Sequence, residues 1–108
     1  MVFNVNATLL EAIVLSVISE NDIYGYKITQ EMQGVIELSD STLYPVLRRL
    51  RDYGLLESYN SQNFGKIRRY YKITKKGRAQ LALYKTEWSD YTNKIDTVLA
   101  KSEIPVPV

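Results

Sequence analysis

From Leu81 to Val98 the apolar side chains Leu81, Tyr84, Trp88, Tyr91, Ile95 and Val98 recur at intervals of three, four, three, four and three. A period of about 3.5 residues held over almost three heptads is the seam of a helix that packs lengthwise on another helix. No further helix follows in the chain, so the seam asks for a partner. That partner is the same helix of a second subunit, or its first helix, which would bring Leu10 and Val14 into the expected dimer interface. Packing of the seam back onto its own domain is the competing reading.

The rest of the chain supplies the body that this helix leaves. With 108 residues, 45% of them apolar, one domain burying somewhat over half of its unfolded surface is the expectation. Asn6 to Ser19 (NATLLEAIVLSVIS) is apolar nearly all round, so the helix it forms must be covered on two sides. Asn21 and Asp22 offer a cap for a second helix from Tyr24 to about Gln33, with Ile28 and Met32 inward and Gly34 closing it. Ser39 caps a third helix whose inward stripe is Leu43, Val46, Leu47 and Leu50 and which stops at Gly54. Leu55 to Asn60 reads as a strand, SQNFGK as a turn, Ile67 to Thr74 as the returning strand, and a long helix starts near Lys75.

Three helices, a hairpin and a further helix give a mainly α chain with a small β-hairpin: a winged helix-turn-helix plus a long C-terminal dimerisation helix. The expected division is residues 1–76 as the DNA-binding domain, N-terminal helix included, and 77–101 as the dimerisation helix of the same compact unit. The end of the chain, 102–108, with Pro105 and Pro107, is a flexible extended tail.

The overall charge of +2 conceals an asymmetry. Arg48, Arg49, Arg51, Lys66, Arg68, Arg69, Lys72, Lys75, Lys76 and Arg78 face only Asp52 and Glu57, so residues 48–78 carry +8 and the remainder −6. A basic segment within an acidic chain is the footprint of a polyanion binder, because each neutralised phosphate releases counterions. On the third helix Ser41, Pro45, Arg48, Arg49 and Asp52 lie opposite the leucine stripe, with Thr42 and Tyr44 on its flanks. Small and apolar groups near its start allow close approach to base edges, and the arginines a turn later reach phosphate or guanine. Pro45 either touches a thymine methyl or merely shapes the helix start, and Arg51, nearer the core edge, snorkels.

Absences narrow the chemistry further. Without histidine or cysteine, imidazole or thiolate zinc sites and His-based or Cys-based nucleophilic machinery cannot be assembled from this chain. The twelve carboxylates are scattered and no glycine-rich phosphate loop accompanies them. The expectation is a non-enzyme with no catalytic residues, no metal and no cofactor. No basic leader precedes the first apolar run and no stretch is long enough to span a bilayer, so a cytoplasmic protein without a membrane partner is expected.

Three segments, YGYKI at 24–28, TLYPVLRRLRDYGLL at 42–56 and RRYYKITKKGRAQL at 68–81, resemble the PadR family of bacterial transcriptional regulators. The resemblance implies a dimeric winged-helix repressor on double-stranded DNA with a roughly palindromic operator. It nominates Tyr26, Thr42, Tyr44, Arg48 and Arg49 for operator contact and the hairpin for the wing. With the residues read from charge and helix face, the candidate DNA-contact set is Tyr26, Lys27, Ser41, Thr42, Tyr44, Pro45, Arg48, Arg49, Lys66, Arg68 and Arg69. The wing departs from the Gly-Arg-Pro-Arg or Gly-Gly-Arg-Arg usual in the family, reading Gly65, Lys66, Ile67, Arg68.

Smaller members of that family hold planar drug-like molecules between their C-terminal helices. The resemblance therefore implies a small planar effector stacked on Trp88 with Tyr84 and Tyr91 beside it; the alternative is a closed interface anchored by Trp88. A second function class also stands at this point: a protein interaction module whose basic hairpin binds an acidic partner.

Overall fold

Asn6 turns the chain into its first helix, its side-chain oxygen accepting the Leu9 amide at 2.8 Å and satisfying one of the amides that a helix start leaves unpaired. The computed structural model describes residues 5–101, the Asn63 side chain excepted, so the expected tail at 102–108 lies outside the described residues. Helix α1 (Ala7–Glu20) buries Leu10, Val14, Leu15 and Ile18, and its apolar circumference is covered by the other helices and by the sheet. Val14 is wholly buried and Leu10 nearly so within the chain's own core. Their expected place in a subunit interface is corrected on that ground, since side chains covered by their own chain have no surface left for a partner.

The second helix is shorter than its periodicity predicts. A two-residue strand, β1 (Ile23–Tyr24), precedes α2 (Gly25–Glu31), whose cap is Tyr24 without a side-chain hydrogen bond. Asn21 and Asp22 therefore do not cap it, and Asp22 instead accepts the Tyr59 hydroxyl at 2.7 Å. Ile28 and Met32 are buried as expected.

Helix α3 (Asp40–Asp52) is capped by Ser39, whose side chain accepts the Thr42 amide, and buries Leu43, Val46, Leu47 and Leu50. It ends in a pair of reverse bonds, Leu55 N–H to the Leu50 carbonyl and Gly54 N–H to the Arg51 carbonyl, each 2.9 Å. That pattern requires a left-handed residue after the cap, and Gly54 supplies it at φ +75°. Leu55, the next residue, closes the motif by burying its side chain.

Strands β2 (Leu56–Asn63) and β3 (Lys66–Ile73) pair from Leu56 opposite Ile73 to Asn63 opposite Lys66, and β1 joins the other side of β3 in an antiparallel sheet ordered β1-β3-β2. The hairpin is longer than its polar composition predicts. Its turn is only Phe64 and Gly65, at φ +52° and +77°, the doubly left-handed geometry whose twist matches the flanking strands and carries the ladder to the tip.

Helix α4 (Lys75–Lys101) begins at Thr74, whose hydroxyl accepts the Gly77 amide at 3.0 Å and donates to the Gly54 carbonyl at 2.7 Å. Its first turns lie on α1, where Leu81 is buried and Tyr84 half-buried against the core. The seam therefore divides: Leu81 and Tyr84 pack back on their own domain, while Trp88, Tyr91, Ile95 and Val98 remain between 41% and 60% exposed. Leu99, outside the expected seam, is exposed with them. Among the described residues no helix is long and apolar enough to cross a membrane.

Candidate nucleic-acid interface

The leucine stripe of α3 fixes which side of that helix faces outward. Ser41, Thr42, Tyr44, Pro45 and Arg48 are exposed, with Ser41, Pro45 and Arg48 on the face opposite the core and Thr42 and Tyr44 on its two flanks. Pro45 is the sixth residue of the helix, a turn deeper than the positions where proline costs nothing, so the Ser41 carbonyl has no amide to accept four residues on. A helix face of small groups, a proline ring and an arginine that forms no ion pair among the described residues is suited to a groove floor.

Arg49 is placed differently from Arg48. Its Nε donates to the Glu11 carboxylate at 3.2 Å, the two side chains being 40% and 13% exposed. The other Glu11 oxygen accepts the Tyr84 hydroxyl at 3.4 Å, so one carboxylate joins α1, α3 and α4. Burial first, then the Glu11 charge, raises the Tyr84 phenol above its ordinary pKa and keeps it a proton donor. Two further cations are also engaged: Lys76 donates to the Tyr53 carbonyl at the end of α3, at 2.8 Å, and Arg51 lies 3.5 Å from Ser58. The cation at the α3 terminus satisfies an orphan carbonyl and complements the helix dipole.

Between the start of α2, the start of α3 and strand β3 lies a cleft of about 530 Å³ lined by Tyr26, Tyr44, Lys66, Ile67, Arg68 and Arg69 among others. Five of the expected contact residues thus meet at one concavity. Lys27, Ser41, Thr42, Pro45, Arg48 and Arg49 lie outside its lining. Tyr44 reaches into the cleft across Gly25, where a Cβ would stand only 2.7 Å from the phenol oxygen and 3.0 Å from Cζ. Burial, followed by the Asp40 carboxylate, raises the Tyr44 pKa, so its hydroxyl stays a donor.

One feature of the wing escaped the sequence. Tyr59 stacks on Tyr70 at 5.7 Å, Tyr70 meets the edge of Tyr24 at 5.5 Å, and the Arg68 guanidinium sits 4.5 Å over the Tyr24 ring. This ladder crosses all three strands on the outer face and holds one cation by its π surface. The adjacent tyrosines at 70 and 71 carried the signal: on a strand they point to opposite faces, Tyr71 into the core and Tyr70 outward.

On α4 the exposed rings of Trp88 and Tyr91 lie 6.2 Å apart, tilted by 38°. Tyr84, expected beside them, is turned instead toward Glu11.

Residues 14–83, well over half of the chain, match the PadR-like family of transcriptional regulators. The chain is similar to smu.1704 of Streptococcus mutans, at 34% identity and TM-score 0.87 over 99% of this chain and all of that one. A PadR family transcription regulator from Clostridium difficile is 30% identical, with TM-score 0.78 over 83% and 97% of the two chains. Bacillus subtilis PadR, solved in complex with operator DNA, shares the fold at 22% identity and TM-score 0.64 over 70% of this chain and 45% of its own. With its motifs, its winged helix and most of its length inside the family, the chain belongs to the PadR-like transcriptional regulators, which control transcription and are not enzymes.

Proposed function

We propose that the protein is a cytoplasmic homodimer that represses transcription by occupying a roughly palindromic operator, with α3 in the major groove and the β2-β3 wing on the flanking backbone. The observation that carries this reading is the bare outer face of α3 beside a cleft whose far wall is Lys66, Arg68 and Arg69. A helix floor and a cationic wall at one concavity match a groove and its phosphate ridge. Two copies related by a two-fold axis would set their α3 helices roughly 34 Å apart, on successive major grooves.

Salt dependence tests the electrostatic half. If each subunit neutralises three phosphates, log affinity against log salt falls with a slope of about −5. A flat plot, or competition by random DNA equal to that of DNA from the gene's own upstream region, returns the chain to the class of protein interaction modules.

The dimer joins through the exposed part of the α4 stripe, and a planar ligand stacked on Trp88 and Tyr91 releases DNA by changing the spacing of the two α3 helices. Support comes from rings left half-exposed on a helix that extends beyond its own core. Trp88→Glu is expected to give a folded monomer by sedimentation, and planar cations to quench Trp88 emission in the wild type. A variant that stays dimeric removes the stripe from the interface, and unquenched emission with an unshifted melting temperature removes the ligand.

A further inference from the structure

The tip of the wing combines features that the fold does not require. Phe64 is 95% exposed and Ile67, three residues on, is 73% exposed. Single exposed apolar residues are ordinary on protein surfaces. Phe64, however, occupies a turn position at φ +52°, where asparagine or glycine sits readily and a bulky side chain is strained. A strained backbone bearing a side chain that contributes almost nothing to the core points to a task outside the core.

The surroundings identify the occupant. Lys66 separates the two apolar residues, and Arg68 and Arg69 follow within the same strand. Lys66, Ile67, Arg68 and Arg69 line the cleft whose opposite side is Tyr44 of α3. A phosphate backbone seated in that cleft, with α3 in the groove on one side, leaves the tip of the ribbon over the groove on the other. That neighbouring minor groove is roughly 6 Å wide, enough for a ring at the end of a two-residue turn. Apolar side chains inserted there part a base step and kink the duplex by roughly 20–90°, most easily at flexible pyrimidine–purine steps.

We infer that Phe64, supported by Ile67, is a wedge that enters the minor groove beside the α3 site and unstacks a base step, so that part of the specificity is read from the deformability of the DNA. This rests on the DNA-binding reading above. Its cations hold the phosphates on either side while the apolar tip replaces the lost stacking.

The test uses a duplex selected on the full-length wild-type protein from a randomised library, carrying a fluorescent adenine analogue that is quenched when stacked, and a dye at each end. The wild type is expected to raise analogue emission at one step in the flank of the site and to shorten the end-to-end distance. Phe64→Asn, which suits the left-handed turn, should melt no lower than wild type and still bind the duplex, but lose both signals; Phe64→Leu should keep them. If Phe64→Asn leaves emission and bend unchanged, the wedge is overturned while DNA binding stands. If the wild type selects no duplex, the DNA-binding reading falls and the wedge with it. If Phe64→Asn changes only self-association, or only binding to phosphatidylglycerol vesicles, the tip serves a second copy or a lipid surface and the wedge is likewise overturned.

Discussion

Gly77→Ala is expected to cost about 2–3 kcal/mol of folding stability and to lower the melting temperature by roughly 10 °C or more. Helix propensity alone predicts the opposite sign, since alanine in a helix is favoured over glycine by about 1 kcal/mol. Packing decides against it. A Cβ at Gly77 would overlap the Leu55 carbonyl oxygen and stand 2.7 Å from the Ile73 side chain. The oxygen is backbone and cannot swing aside, because it accepts the Thr74 amide at 3.1 Å. Thr74 is itself fixed by its bonds to the Gly54 carbonyl and the Gly77 amide. Relief would therefore have to lift the start of α4 from the end of α3 and the root of the hairpin together. Thermal melting followed by circular dichroism measures the effect, and a midpoint equal to or above wild type would refute this account of the joint.

The elements whose limits are set by local chemistry were legible in the sequence. Ser39 and Gly54 bracket α3, and the Leu43, Val46, Leu47 and Leu50 stripe fixes its outward face. What escaped depends on parts of the chain distant in sequence. Two residues, Ile23 and Tyr24, carry no period, and they become a strand only because Tyr70 and Tyr71 lie beside them. SQNFGK reads as a loop by composition, yet Ser61 and Gln62 continue the ladder because the turn at Phe64 and Gly65 holds the register. A heptad shows which side chains share a line and not how far the chain's own body reaches along it. That body covers Leu81 and half-covers Tyr84, and it leaves the line open from Trp88 onward.

The adjacent arginines of α3 show the same limit and lead to the largest effect expected on DNA binding. Helix geometry assigns Arg48 and Arg49 to one polar face, but only the fold reveals that Glu11 lies against Arg49. Arg48, exposed and in no ion pair among the described residues, is the one free to reach a base. A good guanine contact discriminates by about 1–3 kcal/mol, and the dimer proposed above would place two copies of it on the operator, so Arg48→Ala is expected to lose about 2–6 kcal/mol of binding free energy with specificity relaxed at one position in each half-site. Folding stability should move by no more than about 0.5 kcal/mol, as at other surface sites. Arg49→Ala should do the reverse. It strips the mostly buried Glu11 carboxylate of its cation and costs about 1 kcal/mol of stability, a figure kept low because the guanidinium is partly solvated, while the salt slope stays as in wild type. Melting curves and binding isotherms on the two variants separate these outcomes. Equal losses of affinity from both, with melting unchanged in both, would mean that the Glu11 pair opens on DNA and that the two arginines read the groove together.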